Sequence, residues 1–498
     1  MSMIKVQGLT FSYDGGFTDV FNNVCFNIDT NWKLGFVGRN GRGKTTFLKL
    51  LLGAYEYKGS ITSSVRFTYF PFEVNDKTRL SIEVLGDICD TSEYWRLQRE
   101  LNKLKLDEEL LYRPFDTLSG GERTKLMLAG LFLNDGNFLL IDEPTNHLDS
   151  FSRETVAQYL NGKSGFILVS HDRAFLDDCV DHILSINKTN IEVQSGNFSS
   201  WFENFERQQA FEATQNDRLK KEVKKLTEAA RRTSEWAQNT EKEKSRNSAS
   251  NHSNVMGTRV DKGYIGHKAA KLQKRAKAIE ARREDAVEQK SQLLKNTEYA
   301  ADLKLSPLSY RAERLAYADN ISVTYGDAPV FPPMSLEIKR GERIALCGKN
   351  GCGKSSLIKL IAGKELSHTG RLVIPADLKI SYVPQHADHL SGSLKDFATL
   401  NEIDETLFNT ILRKMDFKRD ELFSDISSLS EGQKKKVLIA KSLCQSAHLY
   451  VWDEPLNYID IYSRMQIEKL LNEFAPTMIF VEHDAAFRSN IATRTIKM

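Results

Sequence analysis

The chain repeats itself, and the repeat decides what it can fold into. Gly38-Arg39-Asn40-Gly41-Arg42-Gly43-Lys44-Thr45 returns as Gly348-Lys349-Asn350-Gly351-Cys352-Gly353-Lys354-Ser355, 310 residues on. Leu118-Ser119-Gly120-Gly121-Glu122 returns as Leu429-Ser430-Glu431-Gly432-Gln433, and Ile141-Asp142-Glu143-Pro144 as Trp452-Asp453-Glu454-Pro455, both at an offset of 311. Ser170-His171-Asp172 returns as Glu482-His483-Asp484 at 312. Four motifs in one order at a nearly constant offset mean two copies of one domain. Each copy alternates strand and helix patterns, so the fold class is α/β. The expected organisation is a first domain over 1–200, an insert over 201–300 and a second domain over 301–498.

Each glycine-rich octapeptide follows a short apolar run and opens a helix: Leu34-Gly35-Phe36-Val37 reads as a strand, and Thr45 through Leu51 as a helix. That context separates a phosphate-cradling loop from a chance match. Backbone N–H groups around Gly38, Asn40, Gly41 and Gly43, and around Gly348, Asn350, Gly351 and Gly353, would face the phosphates. Lys44 and Lys354 would reach the β- and γ-phosphates. Thr45 and Ser355 would ligate Mg²⁺, with Thr46 and Ser356 beside them on the helix. Asp142 and Asp453 end apolar strands, where a carboxylate holds the metal's water shell. Glu143 and Glu454 follow, placed to activate or orient a water. His171 and His483 fit either buried packing or contact with the γ-phosphate, and their recurrence favours contact. Tyr13 and Tyr325, each placed in a short N-terminal strand, fit packing or stacking on a base.

The insert has a different character. Between Lys221 and Arg283 there are 17 Lys and Arg against 7 Asp and Glu, a net +10 in a chain whose total is +3, so the remainder is net −7. Leu219, Val223, Leu226 and Ala230 recur at helical spacing, as do Leu272, Ala276, Ile279 and Ala286. Two long antiparallel helices are expected, the first over about 203–243 and roughly 60 Å long, joined by an irregular tip near 244–265. Arg231, Arg232, Lys242, Lys244, Arg246, Arg259, Lys262, Lys268, Lys271, Lys274 and Arg275 suit a phosphate backbone. Trp236, Val255, Met256, Val260, Tyr264 and Ile265 could stack on bases or wedge among them. A solvated charged coiled coil with a small apolar knot is the alternative. No apolar run reaches membrane-spanning length, Met1–Val6 shows no basic segment followed by an apolar run so no secretory signal is expected, and the six cysteines, without a Cys-x-x-Cys pair, read as free thiols of a cytoplasmic protein.

Leu118-Ser119-Gly120-Gly121-Glu122 resembles the signature motif of ABC ATPases, and Asp142-Glu143-Pro144-Thr145-Asn146-His147-Leu148-Asp149 resembles their Walker B and D-loop. Two tandem ABC-type cassettes joined by a long helical hairpin, with no membrane segment, resemble the ABC-F family of ribosome-associated ATPases. The resemblance implies head-to-tail closure within a monomer on two ATP molecules. Each would lie between one phosphate loop and the other cassette's signature, Ser119, Gly120 and Gly121 or Ser430 and Gly432.

Two departures fall on one composite site. Tyr69-Phe70-Pro71-Phe72 stands where the second copy has Tyr382-Val383-Pro384-Gln385, so Phe72 replaces the glutamine expected on the metal or its water. Glu431 stands where the first signature has Gly120, and a carboxylate there repels a γ-phosphate unless it turns away. Unequal sites are expected, with faster hydrolysis at Lys354; neutral drift at both positions is the alternative.

The interval from Pro71 to Ser119 is 48 residues and that from Pro384 to Ser430 is 46, which leaves no room for the arm some ABC-F translation factors carry. Short cassettes with a long linker look like the antibiotic-resistance branch, particularly the Lsa type. That resemblance implies binding of the 70S ribosome at the tRNA exit site, contact with 23S rRNA and P-site tRNA, and displacement of lincosamides, streptogramin A and pleuromutilins. A housekeeping factor that rescues stalled ribosomes, a transporter's ATPase subunit and a DNA-repair ATPase with a coiled-coil arm are the competing readings.

Overall fold

The computed structural model describes residues 2–13, 19–89, 93–146, 148–186, 191–249, 271, 274, 277–279, 281–282, 285, 303–326, 328–388 and 390–498. The chain separates into two compact units, Met1–Trp201 with Ala300–Met498, and Phe202–Tyr299.

In the first unit each cassette is built on a mostly parallel sheet. The first sheet runs in the order β5 (Arg66–Phe70), β6 (Asn137–Asp142), β7 (Phe166–Val169), β3 (Lys33–Val37), β8 (His182–Ile186), β9 (Ile191–Ser195), antiparallel only at β8–β9. The second runs β15 (Ile380–Val383), β16 (Leu449–Asp453), β17 (Met478–Val481), β13 (Arg343–Cys347), β18 (Arg494–Lys497), parallel throughout. These strands read as unbroken apolar runs because both faces are covered. Tyr450, Trp452, Met478 and Phe480 belong to one core cluster, whereas Val451, Ile479 and Val481 belong to another on the opposite face. Each cassette adds an antiparallel sheet: β1 (Met3–Phe11) between β2 (Phe21–Asp29) and β4 (Lys58–Thr62), and β10 (Arg314–Tyr325) with β11 (Ala328–Pro329), β12 (Met334–Lys339) and β14 (His368–Val373).

The helices recur with the same offset. In the first cassette α1 (Lys44–Leu51) follows β3, α2 (Ser81–Gly86) and α3 (Tyr94–Lys103) precede α4 (Gly120–Leu131), and α5 (Ser150–Asn161) and α6 (Arg173–Cys179) follow β6 and β7. After α7 (Phe198–Ala249), the second cassette has α8 (Lys354–Ile361), α9 (Leu394–Leu400), α10 (Glu405–Lys414), α11 (Glu431–Cys444), α12 (Ile461–Phe474) and α13 (Ala485–Ile491). The strand order sets β3, β7 and β6 side by side, and likewise β13, β17 and β16. All the motifs therefore emerge at the carboxyl edge of each sheet, the place where open α/β sheets bind ligands.

The helix α7 has 52 residues, about 78 Å at 1.5 Å per residue, and is longer at both ends than the span 203–243 expected from periodicity. It starts early because Asn197 Oδ1 accepts the Ser200 N–H at 3.1 Å, a side-chain cap that an apolar-stripe reading cannot see. Phe198 and Trp201 are buried in the first unit, while Val223 and Leu226 are half-buried within the second. Side chains of Leu219, Ala230, Trp236, Lys242, Lys244 and Arg246 lie outside the described residues. So do Leu272, Arg275, Ala276, Ala286 and 250–270, with Lys268 and the expected tip residues Val255, Met256, Arg259, Val260, Lys262, Tyr264 and Ile265. Among residues 271–285 those described, Lys271, Lys274 and Ile279 included, are helical.

Candidate ATP sites

Each phosphate loop closes on itself through its lysine. Lys44 Nζ donates to the carbonyls of Gly38 and Arg39 at 2.7 and 3.1 Å, and Lys354 Nζ to those of Gly348 and Lys349 at 2.9 and 2.8 Å. Burial pushes the Lys44 ammonium below its ordinary pKa, against the pull of Glu143, Asp460 and Asp142. Gly43 and Gly353, with φ of 95° and 94°, turn the chain into α1 and α8. A Cβ on either would come within 2.5 Å of Val20 or Phe331, so position and conformation both require glycine.

Beside the loops, Thr45 donates to Asp142 Oδ2 at 2.8 Å and Ser355 to Asp453 Oδ1 at 3.1 Å. Tyr69 donates to the same Asp142 oxygen at 3.0 Å. Burial, with Glu454 alongside, raises Asp453 to about 6, and burial raises Asp142. Asp453 Oδ2 is buried and has no hydrogen-bond partner. A lone buried carboxylate oxygen next to a hydroxyl suits a divalent cation that keeps waters and phosphate oxygens as its other ligands. Thr45 with Asp142, and Ser355 with Asp453, would hold Mg²⁺ and position it against the phosphates.

The next residues, Glu143 and Glu454, are in left-handed backbone, φ 50° and 46°, a strained setting for glutamate that is held by Glu143 N–H to Val169 O (2.9 Å) and Glu454 N–H to Val481 O (3.0 Å). Their carboxylates differ. Burial opposes ionisation at Glu454, but His483, Gln385 and Asn457 outweigh it and hold the carboxyl at about 2. Asn457 Nδ2 donates to Oε2 at 2.6 Å, and His483 Nε2 lies 3.4 Å from Oε1. At Glu143 burial and Asp142 win, and the carboxyl stands at about 8. His171 Nε2 is 3.2 Å from Glu143 Oε1, but that oxygen has no aligned hydrogen bond. Burial, with Lys44 and Arg464, drives the His171 imidazole well below its ordinary pKa.

The two halves interlock head to tail. A cavity of about 620 Å³ is lined by Lys354, Ser355, Ser356, Gln385, Glu454 and His483, with Tyr325, Asn350, Gly351 and Gly353, and by Gly120, Asn146 and Leu148 from the first cassette. Around the other loop, Asn40 Nδ2 donates to the Tyr458 carbonyl at 2.8 Å. A Cβ on Gly432 would meet that same carbonyl at 2.5 Å and Asn40 Nδ2 at 3.2 Å, so this signature glycine fits where no side chain can. Ser119 and Ser430 cap α4 and α11 through matching boxes with Glu122 and Gln433. In α4 the first two residues are Gly120 and Gly121.

Several sequence-based placements shift. Tyr13 lies two residues beyond β1 rather than in a strand, and Tyr325 ends a 12-residue strand rather than a short one. Both are exposed and reach their helix, Tyr13 OH to Thr46 Oγ1 at 2.6 Å and Tyr325 OH to Ser356 Oγ at 3.2 Å. Glu431 turns to Lys434 at 3.1 Å, the escape that its charge requires. Phe72 is half-buried.

Other residues escaped the motif reading. Lys435 is buried, donates to the carbonyls of Pro384 (2.9 Å) and Glu454 (3.1 Å), and is brought to about 8 by burial against Asp453 and Glu454. Its match in the first cassette is Thr124. Arg153 pairs with Asp172 at 2.7 Å and Arg464 with Asp484 at 3.0 Å, bracing the loops that carry the histidines. The 311-residue recurrence of these arginines was a signal available in the sequence.

Two glycine-rich loops at the carboxyl ends of parallel strands, each with a buried aspartate and glutamate beside it and a pocket completed by the other cassette, define a tandem-cassette ATPase. The family model described as ABC transporter matches residues 21–146 and 331–457, and the chain belongs to that family. It is 26% identical to ABC transporter F family member 5 of Arabidopsis thaliana over 569 residues, 100% of this chain and 75% of that protein. It is 26% identical to ribosome protection protein VmlR of Bacillus subtilis over 491 residues, 96% of this chain and 83% of that one. The fold is that of the archaeal ribosome recycling factor aABCE1, solved in complex with the archaeal ribosomal stalk protein aP1. The TM-score is 0.63 at 21% identity, over 98% of this chain and 87% of that chain. No helix among the described residues is long and apolar enough to cross a membrane.

Proposed function

We propose that this chain is a cytoplasmic ABC-F ATPase that binds the ribosome in its closed, ATP-bound form and protects it from peptidyl-transferase-centre drugs. The observation that carries the reading is that both composite sites are built within one chain, with a 52-residue, lysine- and arginine-rich helix between the cassettes. The relatives named for the F family and for ribosome protection support it.

In this reading Lys44 and Lys354 hold the β- and γ-phosphates, and Ser119 with Gly120 and Gly121, and Ser430 with Gly432, close on them from the opposite cassette. Tyr13 and Tyr325 lie against the bases. Mg²⁺ rests on Thr45 and Asp142 at one site and on Ser355, Asp453 and Gln385 at the other. Glu143 and Glu454 orient water, steadied by His171 and His483. Lys221, Lys224, Lys225 and Arg232, exposed along α7, meet rRNA phosphates. The insert enters through the tRNA exit site, shifts 23S rRNA and P-site tRNA, and drug leaves; hydrolysis then reopens the cassettes.

The test uses the full chain with Glu143→Gln and Glu454→Gln together and saturating ATP. Co-sedimentation with 70S ribosomes, and higher inhibitory concentrations of lincosamide, streptogramin A or pleuromutilin in a sensitive host expressing the unmodified gene, are expected. Ribosome binding without any change in drug sensitivity would assign the housekeeping rescue role instead. Loss of ribosome binding refutes the proposal outright.

A further inference from the structure

Because the cassettes are related by an offset of 310–312 residues, contacts across one composite interface have positional counterparts across the other. On the Lys44 side, buried Arg39 lies 3.4 Å from Asp416 Oδ2 and 5.5 Å over the Tyr462 ring. Arg173, two residues after His171, pairs with Glu468 on α12, both largely buried. The matching positions on the Lys354 side hold Lys349 for Arg39, Lys105 for Asp416, Phe151 for Tyr462, Ala485 for Arg173 and Ala157 for Glu468.

The match of Lys105 to Asp416 is structural as well as numerical. Both are left-handed, φ 53° and 72°, and both follow a helix that ends with the same bond, Lys105 N–H to Asn102 O and Asp416 N–H to Arg413 O, each at 3.1 Å. Lys105 Nζ sits 4.9 Å over the Phe151 ring, and Phe151 shares the wall of a cavity of about 740 Å³ with Lys349. A cation–anion–aromatic set spans one seam, whereas the matched positions of the other hold two lysines and a phenylalanine, and that seam is bridged by Arg488 Nη1 to Ser150 Oγ at 3.0 Å and Asn350 N–H to Asp149 Oδ2 at 3.4 Å. A buried ion pair is replaced by two alanines.

We propose that the two interfaces open unequally: the Lys44 side is latched by protein contacts, and the Lys354 side is the gate through which nucleotide exchanges. Ion pairs in a largely buried setting hold one seam, where opposite charges are screened least, while a hydroxyl and a backbone N–H make the bridges of the other. The inference rests on the two-cassette ATPase assignment and needs no ribosomal role, so failure of one leaves the other standing.

Release of a fluorescent ATP analogue from the full-length protein, chased with unlabelled ATP in a stopped-flow mixer, tests it. Two phases are expected, and Lys354→Ala should remove the fast one. Lys105→Asp, which puts a carboxylate at the position matched to Asp416, should slow the fast phase at least fivefold, about 1 kcal/mol. Asp416→Lys should speed the slow phase by a similar factor, and adding Arg39→Asp should restore it, a rescue that a misfolded variant cannot show. A single phase, a fast phase indifferent to Lys105→Asp, or no rescue by the swapped pair overturns the proposal.

Discussion

Glu143 and Glu454 occupy matched positions, yet one carboxyl stands at about 8 and the other at about 2. His483 does most to ionise Glu454, ahead of Gln385 and Asn457, whereas at Glu143 burial and Asp142 prevail. Gln385 is one of the groups that ionise Glu454, and the first cassette has Phe72 at the corresponding place. A glutamate that orients water by accepting its proton must be ionised. In a Glu454→Gln background, where only Glu143 remains, ATPase activity should therefore rise with pH through a midpoint near 8; in a Glu143→Gln background it should show no such limb between pH 6 and 9. At pH 7 a group with a pKa of about 8 is ionised to about 10%. Restoring a donor by Phe72→Gln adds a hydrogen bond to a charged acceptor, about 1.5–3 kcal/mol, or about one to two pH units of midpoint. The ionised fraction at pH 7 would then climb to about 50–90%, a five- to ninefold gain. Single-turnover hydrolysis from pH 6 to 9.5 in the two backgrounds, with and without Phe72→Gln, reads this directly. An alkaline limb in both backgrounds, or a midpoint that Phe72→Gln leaves in place, would refute the reasoning.

Two further outcomes follow from buried charges outside the phosphate loops. Glu100 is buried, but Lys163, Tyr159 and Lys103 overcome that burial and hold it at about 2. A depressed carboxyl stabilises above its unfolded pKa and loses that contribution as pH falls through the folded value, so up to about 3 kcal/mol is present at pH 7 and fades between about pH 4.5 and 2. Glu100→Gln should lower Tm by a few degrees at pH 7 and leave almost no difference near pH 2; a difference independent of pH would contradict it. Lys435→Met strips the donor from the Pro384 and Glu454 carbonyls while removing a buried cation, so the thermal cost should be modest. The larger effect is on the Glu454-dependent rate, which should fall at least tenfold in single turnover while the Glu143-dependent rate holds, because Thr124 stands at the matched position; equal losses would count against a local role.

What the sequence disclosed and what it withheld divide along the range of the interactions. The turn into α1, the end of β6 and the cap of α4 are set by backbone geometry within about eight residues, so the glycine pattern, the apolar run and the serine put Gly43, Asp142 and Ser119 at those places in the fold. The limits of α7 depart from 203–243 because a single cap, Asn197, sets the start, and the helix runs on to Ala249, past the apolar stripe. Contacts such as Arg39 with Asp416 or Arg173 with Glu468 join residues roughly 300 or more apart, and no local pattern marks one residue as the other's partner. The repeat nonetheless offers a route to them. Wherever both copies keep a residue, as with Arg153 and Arg464, the shared fold accounts for it. Where they part, at Phe72 and Gln385, Thr124 and Lys435, Lys105 and Asp416, the backbone requirement is the same on both sides and cannot explain the difference. Those departures fall around the two phosphate loops, beside Glu143 and Glu454 and along the seams between the cassettes. Duplication accounts for the shared architecture, and its broken symmetry is where a difference between the two sites is to be sought.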